Sequence, residues 1–337
     1  MDDINFNMKF KEKEILDTLI FGGLQELNKE SEALRRLQIN QGMRIHTCNN
    51  YNKSIEVIKI ASKGIEKKLK LLTKVYYRYP SVKHNRFRPL IDQLDEIVDR
   101  LGFIPSDWSL QLCCYCNLKE LGKKNAKKFF KKIIQKYKIT KIYLEYYPIY
   151  KYQLEHIDKL NNFYKRRISF GLIGYQNCLN RVFTSRDLKF LSSKSISVIF
   201  LGFLGKGIHN RSKVEDQTSL EINQGTDSIN ANLIYLLTNQ HKYKNLEALT
   251  QVSSLNHYED LKERIIEIDK SLKVNALPEV FVDESKIDIY NFHNYDQYGG
   301  YITLRQYCRR PKFLISKIKY LIISFIVGIK FGNNFWC

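Results

Sequence analysis

Four groups of residues carry enough chemistry in their type and spacing to suggest a function. Cys113-Cys114-Tyr115-Cys116 has the C-x-x-C spacing of metal and redox sites. On an extended strand, Cys114 and Cys116 would share one face and Cys113 the other. No second pair and no suitably spaced histidines complete a zinc site, so these read as packing cysteines. The lysines between Lys123 and Lys136 recur every three or four residues, with Phe129, Phe130, Ile133 and Ile134 left for an apolar face. That is an amphipathic helix with a solvated basic side; without a zinc-finger, RNP or KH pattern, no nucleic-acid partner is expected. Gly202, Gly205 and Gly207 lack the spacing and the Lys-Ser/Thr ending of a phosphate-cradling loop. Between Arg305 and Lys330 lie seven basic residues, and residues 301–337 contain no acidic one. The apolar run 320–329 is too short to span a bilayer, which takes ~20 residues. The tail 305–337 can instead lie on an anionic membrane surface.

These groups must be positioned by a fold, and 337 residues at 44% apolar suffice for a large core. Short apolar runs at 15–21, 43–46, 69–75, 109–114, 139–144, 168–173, 196–201 and 246–252 alternate with stretches of helical period at 30–41, 54–63, 88–101, 117–137, 151–163 and 228–238. Eight such units predict a (β/α)₈ barrel over residues 10–275, with chemistry at the carboxyl ends of its strands; a doubly wound open sheet is the rival. Residues 276–337 break the pattern and read as an irregular, basic C-terminal extension. The net charge of +20 favours anionic surroundings. Seven cysteines without a disulfide spacing, and an amino terminus without a secretory signal, point to a reduced, cytoplasmic location.

Specific segments then resemble the aldo-keto reductases, NAD(P)H-dependent carbonyl reductases built on this barrel. Phe21-Gly22-Gly23 followed by Glu32-Ala33-Leu34-Arg35-Arg36 is similar to the family's opening. The run from Gly42 to Tyr51, containing His46-Thr47-Cys48, resembles its Gly-x-x-x-x-Asp-Thr-Ala-x-x-Tyr with one residue fewer. Leu72-Thr73-Lys74-Val75 resembles the lysine strand, and Leu110-Gln111-Leu112-Cys113 its Leu-Gln-Leu-His. Gln153-Leu154-Glu155, Asn177-Cys178-Leu179-Asn180-Arg181 and Ser253-Ser254 follow at family-like separations.

The family uses a tetrad of Asp, Tyr, Lys and His, and the resemblance implies Tyr51 as proton donor and Lys74 as the charge that acidifies it. The aspartate position holds His46 and the histidine position Cys113. Because histidine supplies no negative charge, Lys74 is expected to lack its carboxylate and to be pressed toward neutrality. The carboxamide-binding Ser-Asn pair aligns with Glu145 and Tyr146, and the family's glutamine with Ile173. Ser253 and Ser254 would open the phosphate-binding helix, with Arg264 and Lys262 as phosphate partners.

The resemblance therefore implies an NADP- or NAD-dependent oxidoreductase with an altered and impaired site, acting on a small carbonyl or sugar-derived substrate. The alternative is a non-catalytic pseudoenzyme whose barrel mouth binds a ligand or partner. By analogy with divergent bacterial relatives, a link to surface polysaccharides is expected, with the tail at the inner face of the membrane.

Overall fold

The computed structural model describes residues between Leu16 and Lys273, except 17, 25, 50, 52, 77–79, 82–85, 88–89, 114–123, 146–151, 166, 177–181, 203 and 205–227. Eight parallel strands close on themselves: β1 (Leu19–Gly22), β2 (Arg44–Cys48), β3 (Lys70–Tyr76), β4 (Asp107–Cys113), β5 (Lys141–Glu145), β6 (Ser169–Tyr175), β7 (Val198–Leu201) and β8 (Leu246–Gln251). Each strand pairs with its sequence neighbours, and β1 pairs with β8 to complete the ring. The helices are α1 (Lys29–Asn40), α2 (Ser54–Ser62), α3 (Leu90–Leu101), α4 (Lys124–Tyr137), α5 (Tyr152–Phe163), α6 (Ser185–Ser193), α7 (Ser228–Lys242) and α8 (Leu255–Lys273). This is the expected (β/α)₈ barrel. The extension at 276–337, including the basic tail, lies outside the described residues. Among those described, no helix is long and apolar enough to cross a membrane.

Strand side chains alternate between two cores. Outward residues such as Ile45, Leu71, Leu110, Leu144 and Leu172 join Leu34, Ile58, Leu94, Phe130 and Ile157 from the helices in the main core. Inward residues Ile20, Leu72, Tyr143, Ile173, Ile199 and Leu249 form a separate plug across the lumen. Its bulkiest member, Tyr143, needs space from β6. A Cβ built on Gly171 would lie 2.9 Å from the Tyr143 ring and 2.7 Å from the Ser197 carbonyl oxygen. Glycine there lets the tyrosine cross the barrel.

The amino-terminal end of the lumen is polar. Arg44 pairs with Glu247 across β1, at 2.5 Å, and the Tyr143 hydroxyl donates to the other Glu247 oxygen at 2.7 Å. Lys141 stands 3.8 Å from the same carboxylate. Burial opposes the charge on Arg44, but Glu247, Tyr143 and Asp107 together outweigh it, so the guanidinium is held more firmly protonated than usual. This cluster closes the end of the barrel opposite the one where (β/α)₈ enzymes do chemistry.

Outside the barrel, α4 presents Lys124, Lys127, Lys128, Lys131, Lys132 and Lys136 to solvent, while Phe129, Phe130 and Ile133 are buried. The predicted solvated basic face is thus present for the described part of that run.

Candidate functional site

At the carboxyl end of the lumen, four consecutive strands each contribute one inward polar side chain. They are His46 on β2, Lys74 on β3, Gln111 on β4 and Glu145 on β5. Lys74 and Gln111 are register partners, and Lys74 also sits level with Cys48 of β2. Glu145 lies two residues beyond Tyr143, the register partner of Gln111. The four side chains therefore crowd one side of the rim, directly above the apolar plug.

Their bonds form one chain. Glu145 Oε1 accepts from Gln111 Nε2 at 2.8 Å and faces Lys74 Nζ at 3.3 Å. Gln111 Oε1 lies 3.0 Å from His46 Nε2. A carboxylate only accepts, so Gln111 must turn its amide nitrogen toward Glu145 and its oxygen toward His46. His46 consequently donates from Nε2 and carries a lone pair on Nδ1. That nitrogen faces Gly22 of β1, where a built Cβ would lie 3.5 Å from it. Burial, reinforced by the positive charge of Lys74, pushes the His46 pKa down to about 3. At neutral pH the imidazole is uncharged.

Tyr51 reaches the same cluster from the loop after β2. Its ring meets the His46 ring edge-on, with centroids 5.7 Å apart. The loop is anchored at several points. Tyr51 N donates to Cys48 O at 3.0 Å, and Ser54 N donates to Tyr51 O at 2.8 Å. The Ser54 hydroxyl accepts from Thr47 Oγ1 at 2.9 Å. Asn49 Nδ2 donates to Gln93 O of α3 at 3.1 Å, and Arg100 of α3 donates to Asn49 O at 3.0 Å while its guanidinium pairs with Glu56 of α2. Helices α2 and α3 thereby hold the backbone that carries the phenol.

The expectation that Lys74 lacks a carboxylate is corrected. Position 46 does hold a neutral histidine, but the negative charge comes from β5, three strands away from β2. Glu145, aligned with the carboxamide-binding pair, makes its observed bonds to Lys74 and Gln111 instead. Gln111 was not singled out from the sequence. Its signal was phase, because it alternates with the outward Leu110 and Leu112 and so faces inward.

The other site positions are dispersed. Cys113 ends β4 level with Tyr76; Tyr146 and Cys114 to Cys116 lie outside the described residues. Ile173 is fully buried in the plug and offers no polar group. Three residues on, Gln176 is also buried, but its amide is taken up by Val182 N, Phe183 N, Phe183 O and the Tyr235 hydroxyl. It ties the end of β6 to Val182 and Phe183. At the start of α8, Ser254 Oγ accepts from His257 N at 3.2 Å, and Ser253 Oγ contacts His257 Nδ1 at 3.0 Å. Leu255 N donates to Glu30 Oε1 at 3.2 Å. Arg264, further along α8, pairs with Asp260 and donates to Asn230 of α7. Lys262 stands 3.8 Å from Glu259. Among the described residues, no group of His, Cys, Asp and Glu could hold a metal ion.

No protein-family model matches the chain, and no curated protein does. Solved structures do. A protein from Pseudomonas aeruginosa assigned to the aldo-keto reductases superposes with a TM-score of 0.52 at 11% identity, over 74% of this chain and 90% of that one. An aldo/keto reductase from Klebsiella pneumoniae, solved with NADP and acetate, gives 0.49 at 14% identity over 78% and 92%. The barrel described above is thus the fold found in aldo-keto reductases.

Proposed function

We propose that the protein is an NADP- or NAD-dependent oxidoreductase that reduces a small carbonyl, with Tyr51 as proton donor and Lys74 as the charge beside it. The supporting observation is the ion pair between Lys74 and Glu145 on the rim that also holds Tyr51 against His46. An ammonium kept charged there favours the phenolate over the neutral phenol, which is what a tyrosine, with a usual pKa near 10, needs to give up a proton at neutral pH. The reduced nicotinamide cofactor, when bound, supplies the hydride. Tyr51 delivers the proton to the carbonyl oxygen and is reprotonated from solvent. His46, uncharged, contributes an edge-on ring that limits where the phenol can point.

The start of α8 fits the phosphate end of such a cofactor. A helix amino terminus attracts anionic oxygens, and this one already receives the Glu30 carboxylate at Leu255 N. Ser253, Ser254 and, after leaving Asp260, Arg264 would hold the phosphate. The rim's polar cluster and its apolar floor suit a small substrate such as a sugar-derived carbonyl. The basic tail would place the enzyme at an anionic inner membrane surface, where bacterial surface-polysaccharide chemistry takes place. Flotation with anionic liposomes, with and without residues 305–337, tests that placement; equal recovery in the unbound fraction rejects it.

One observation favours the alternative of a binding module without turnover: Ile173 is apolar where the family places a carboxamide-binding glutamine. Titration with NADPH and NADH by intrinsic fluorescence, followed by a carbonyl panel, separates the two readings. Oxidoreductase activity requires cofactor binding and turnover that falls by ~10²–10⁴ in Tyr51→Phe. Binding without Tyr51-dependent turnover establishes the module; binding of neither nucleotide rejects the oxidoreductase.

A further inference from the structure

We infer that Glu145 is the positioning carboxylate of this site: it holds Lys74 charged from β5, Gln111 relays its polarity to His46, and the negative charge has thereby exchanged strands rather than been lost. The inference deepens the reading of Tyr51 and Lys74 given above and rests on it for its catalytic meaning.

Three features of the geometry carry it. Lys74 Nζ and Gln111 Nε2 converge on the same oxygen, Glu145 Oε1, at 3.3 and 2.8 Å. The Glu145 side chain is only 7% exposed, so its charge is poorly screened by water and needs both donors. Finally, the bonds form one unbroken series that ties four adjacent strands together: ammonium on β3, carboxylate on β5, amide on β4, imidazole on β2. A carboxylate on β2 would leave no place for this order, because Gln111 would then face an acceptor on each side. With Glu145 on β5, a neutral donor is the group that completes the chain at position 46, and His46 supplies it. Residues 46 and 145 therefore form a matched pair.

The relay makes the charge transferable. His46 lies on β2 two residues before Cys48, the register partner of Lys74, and on the same face of the strand, so an aspartate at 46 would put its charge on the strand beside the ammonium. The experiment measures acylation of Lys74 by an amine-reactive ester, read at residue 74 by peptide mass spectrometry across pH, since only the neutral amine reacts. In Glu145→Gln, loss of the carboxylate leaves more of the amine neutral and speeds labelling about tenfold near pH 8. Adding His46→Asp in the same chain returns labelling toward the wild-type rate. Should that double variant fail to fold by circular dichroism, Gln111→Glu with Glu145→Gln replaces it, because position 111 is level with Lys74.

Labelling in Glu145→Gln no faster than in wild type overturns the proposal. So does acceleration that a folded compensating variant does not reverse, which would mark Glu145 as merely structural. The pH profile of Tyr51-dependent carbonyl reduction should shift in Glu145→Gln and shift back in the compensated chain. If labelling follows the expected pattern while wild-type protein reduces no carbonyl, the oxidoreductase reading fails and the charge exchange stands.

Discussion

His46 Nε2 and Gln111 Oε1 lie 3.0 Å apart beneath the rim, and the direction of that hydrogen bond is set from the far side, by the carboxylate of Glu145. The imidazole is thereby fixed as the Nε2–H tautomer, and burial keeps it neutral with a pKa of about 3. An unfolded chain would bind a proton at this residue near pH 6.5. Between those values the unfolded state holds a proton that the folded state refuses. This contribution to stability is therefore complete above pH 6.5 and is lost as the pH falls toward 3, by about 1.4 kcal/mol per pH unit. Urea midpoints followed from pH 8 down to pH 4 should fall more steeply for wild type than for His46→Gln; parallel slopes would refute it. Nitrogen NMR should also show this ring neutral at pH 5, with its one proton on Nε2.

Glu247 receives Arg44, Tyr143 and Lys141 at the closed end of the lumen. Truncating it leaves a largely buried guanidinium facing the Tyr143 phenol, which burial keeps neutral. Glu247→Ala should cost about 3 kcal/mol in urea unfolding, because it strands a buried cation. Replacing both members with apolar residues, Arg44→Met with Glu247→Leu, should cost clearly less than the single change. A double variant as unstable as Glu247→Ala would contradict this account. Cofactor titrations should be alike in all three, since the cluster is separated from the rim by the plug of Ile20, Leu72, Ile173, Ile199 and Leu249.

What the sequence made readable divides along the range of the interactions. All eight strands could be placed, because each buries an outward apolar row and announces itself over a few residues. Boundaries moved by one or two residues where apolar flanks joined the helix–barrel core instead: Ile139, Ile168 and Ile196 precede β5, β6 and β7 yet are buried. Tyr51, His46 and Lys74 could be brought to one rim because β2 and β3 are neighbours in sequence. The Glu145 carboxylate could not be joined to Lys74 in this way. That pairing depends on the register of β3 with β4 and of β4 with β5, which no local pattern encodes. Gln176, three residues past the aligned Ile173, carries no sequence pattern for its part, since its amide is taken up by Val182, Phe183 and Tyr235.

Arg35 illustrates a cost that no spacing predicts. It is fully buried under α1, where Nη1 donates to Phe21 O at 3.1 Å and Gln38 Oε1 at 2.7 Å. Among the described residues, its Nε and Nη2 have no partner, nor has Gln38 Nε2. Desolvation alone brings its pKa down to about 9. A buried charge so incompletely met is dispensable to stability when its volume is kept. Arg35→Met with Gln38→Leu should be as stable as wild type, or more stable by up to ~2 kcal/mol, in urea unfolding. Arg35→Ala, which adds a cavity, should be less stable than that pair. A loss of more than ~2 kcal/mol in the Met/Leu variant would show that the guanidinium has a structural role that its bonds do not reveal.

Glu30 and Leu255 join the start of α1 to the start of α8, with the carboxylate accepting the helix's own N–H. A phosphate arriving at Ser253 and Ser254 must displace or tolerate that negative charge. NADPH carries one phosphate more than NADH, so removing the carboxylate should favour it selectively. Glu30→Gln should tighten NADPH roughly three- to tenfold relative to NADH at low salt, a gain that shrinks in 1 M salt, where screening acts within about 3 Å. The neutral amide can still cap Leu255 N, so α8 itself should keep its melting behaviour. Fluorescence titrations of both nucleotides at two ionic strengths decide the matter. An equal change for the two, or one indifferent to salt, would place the adenosine phosphate elsewhere than at the amino terminus of α8.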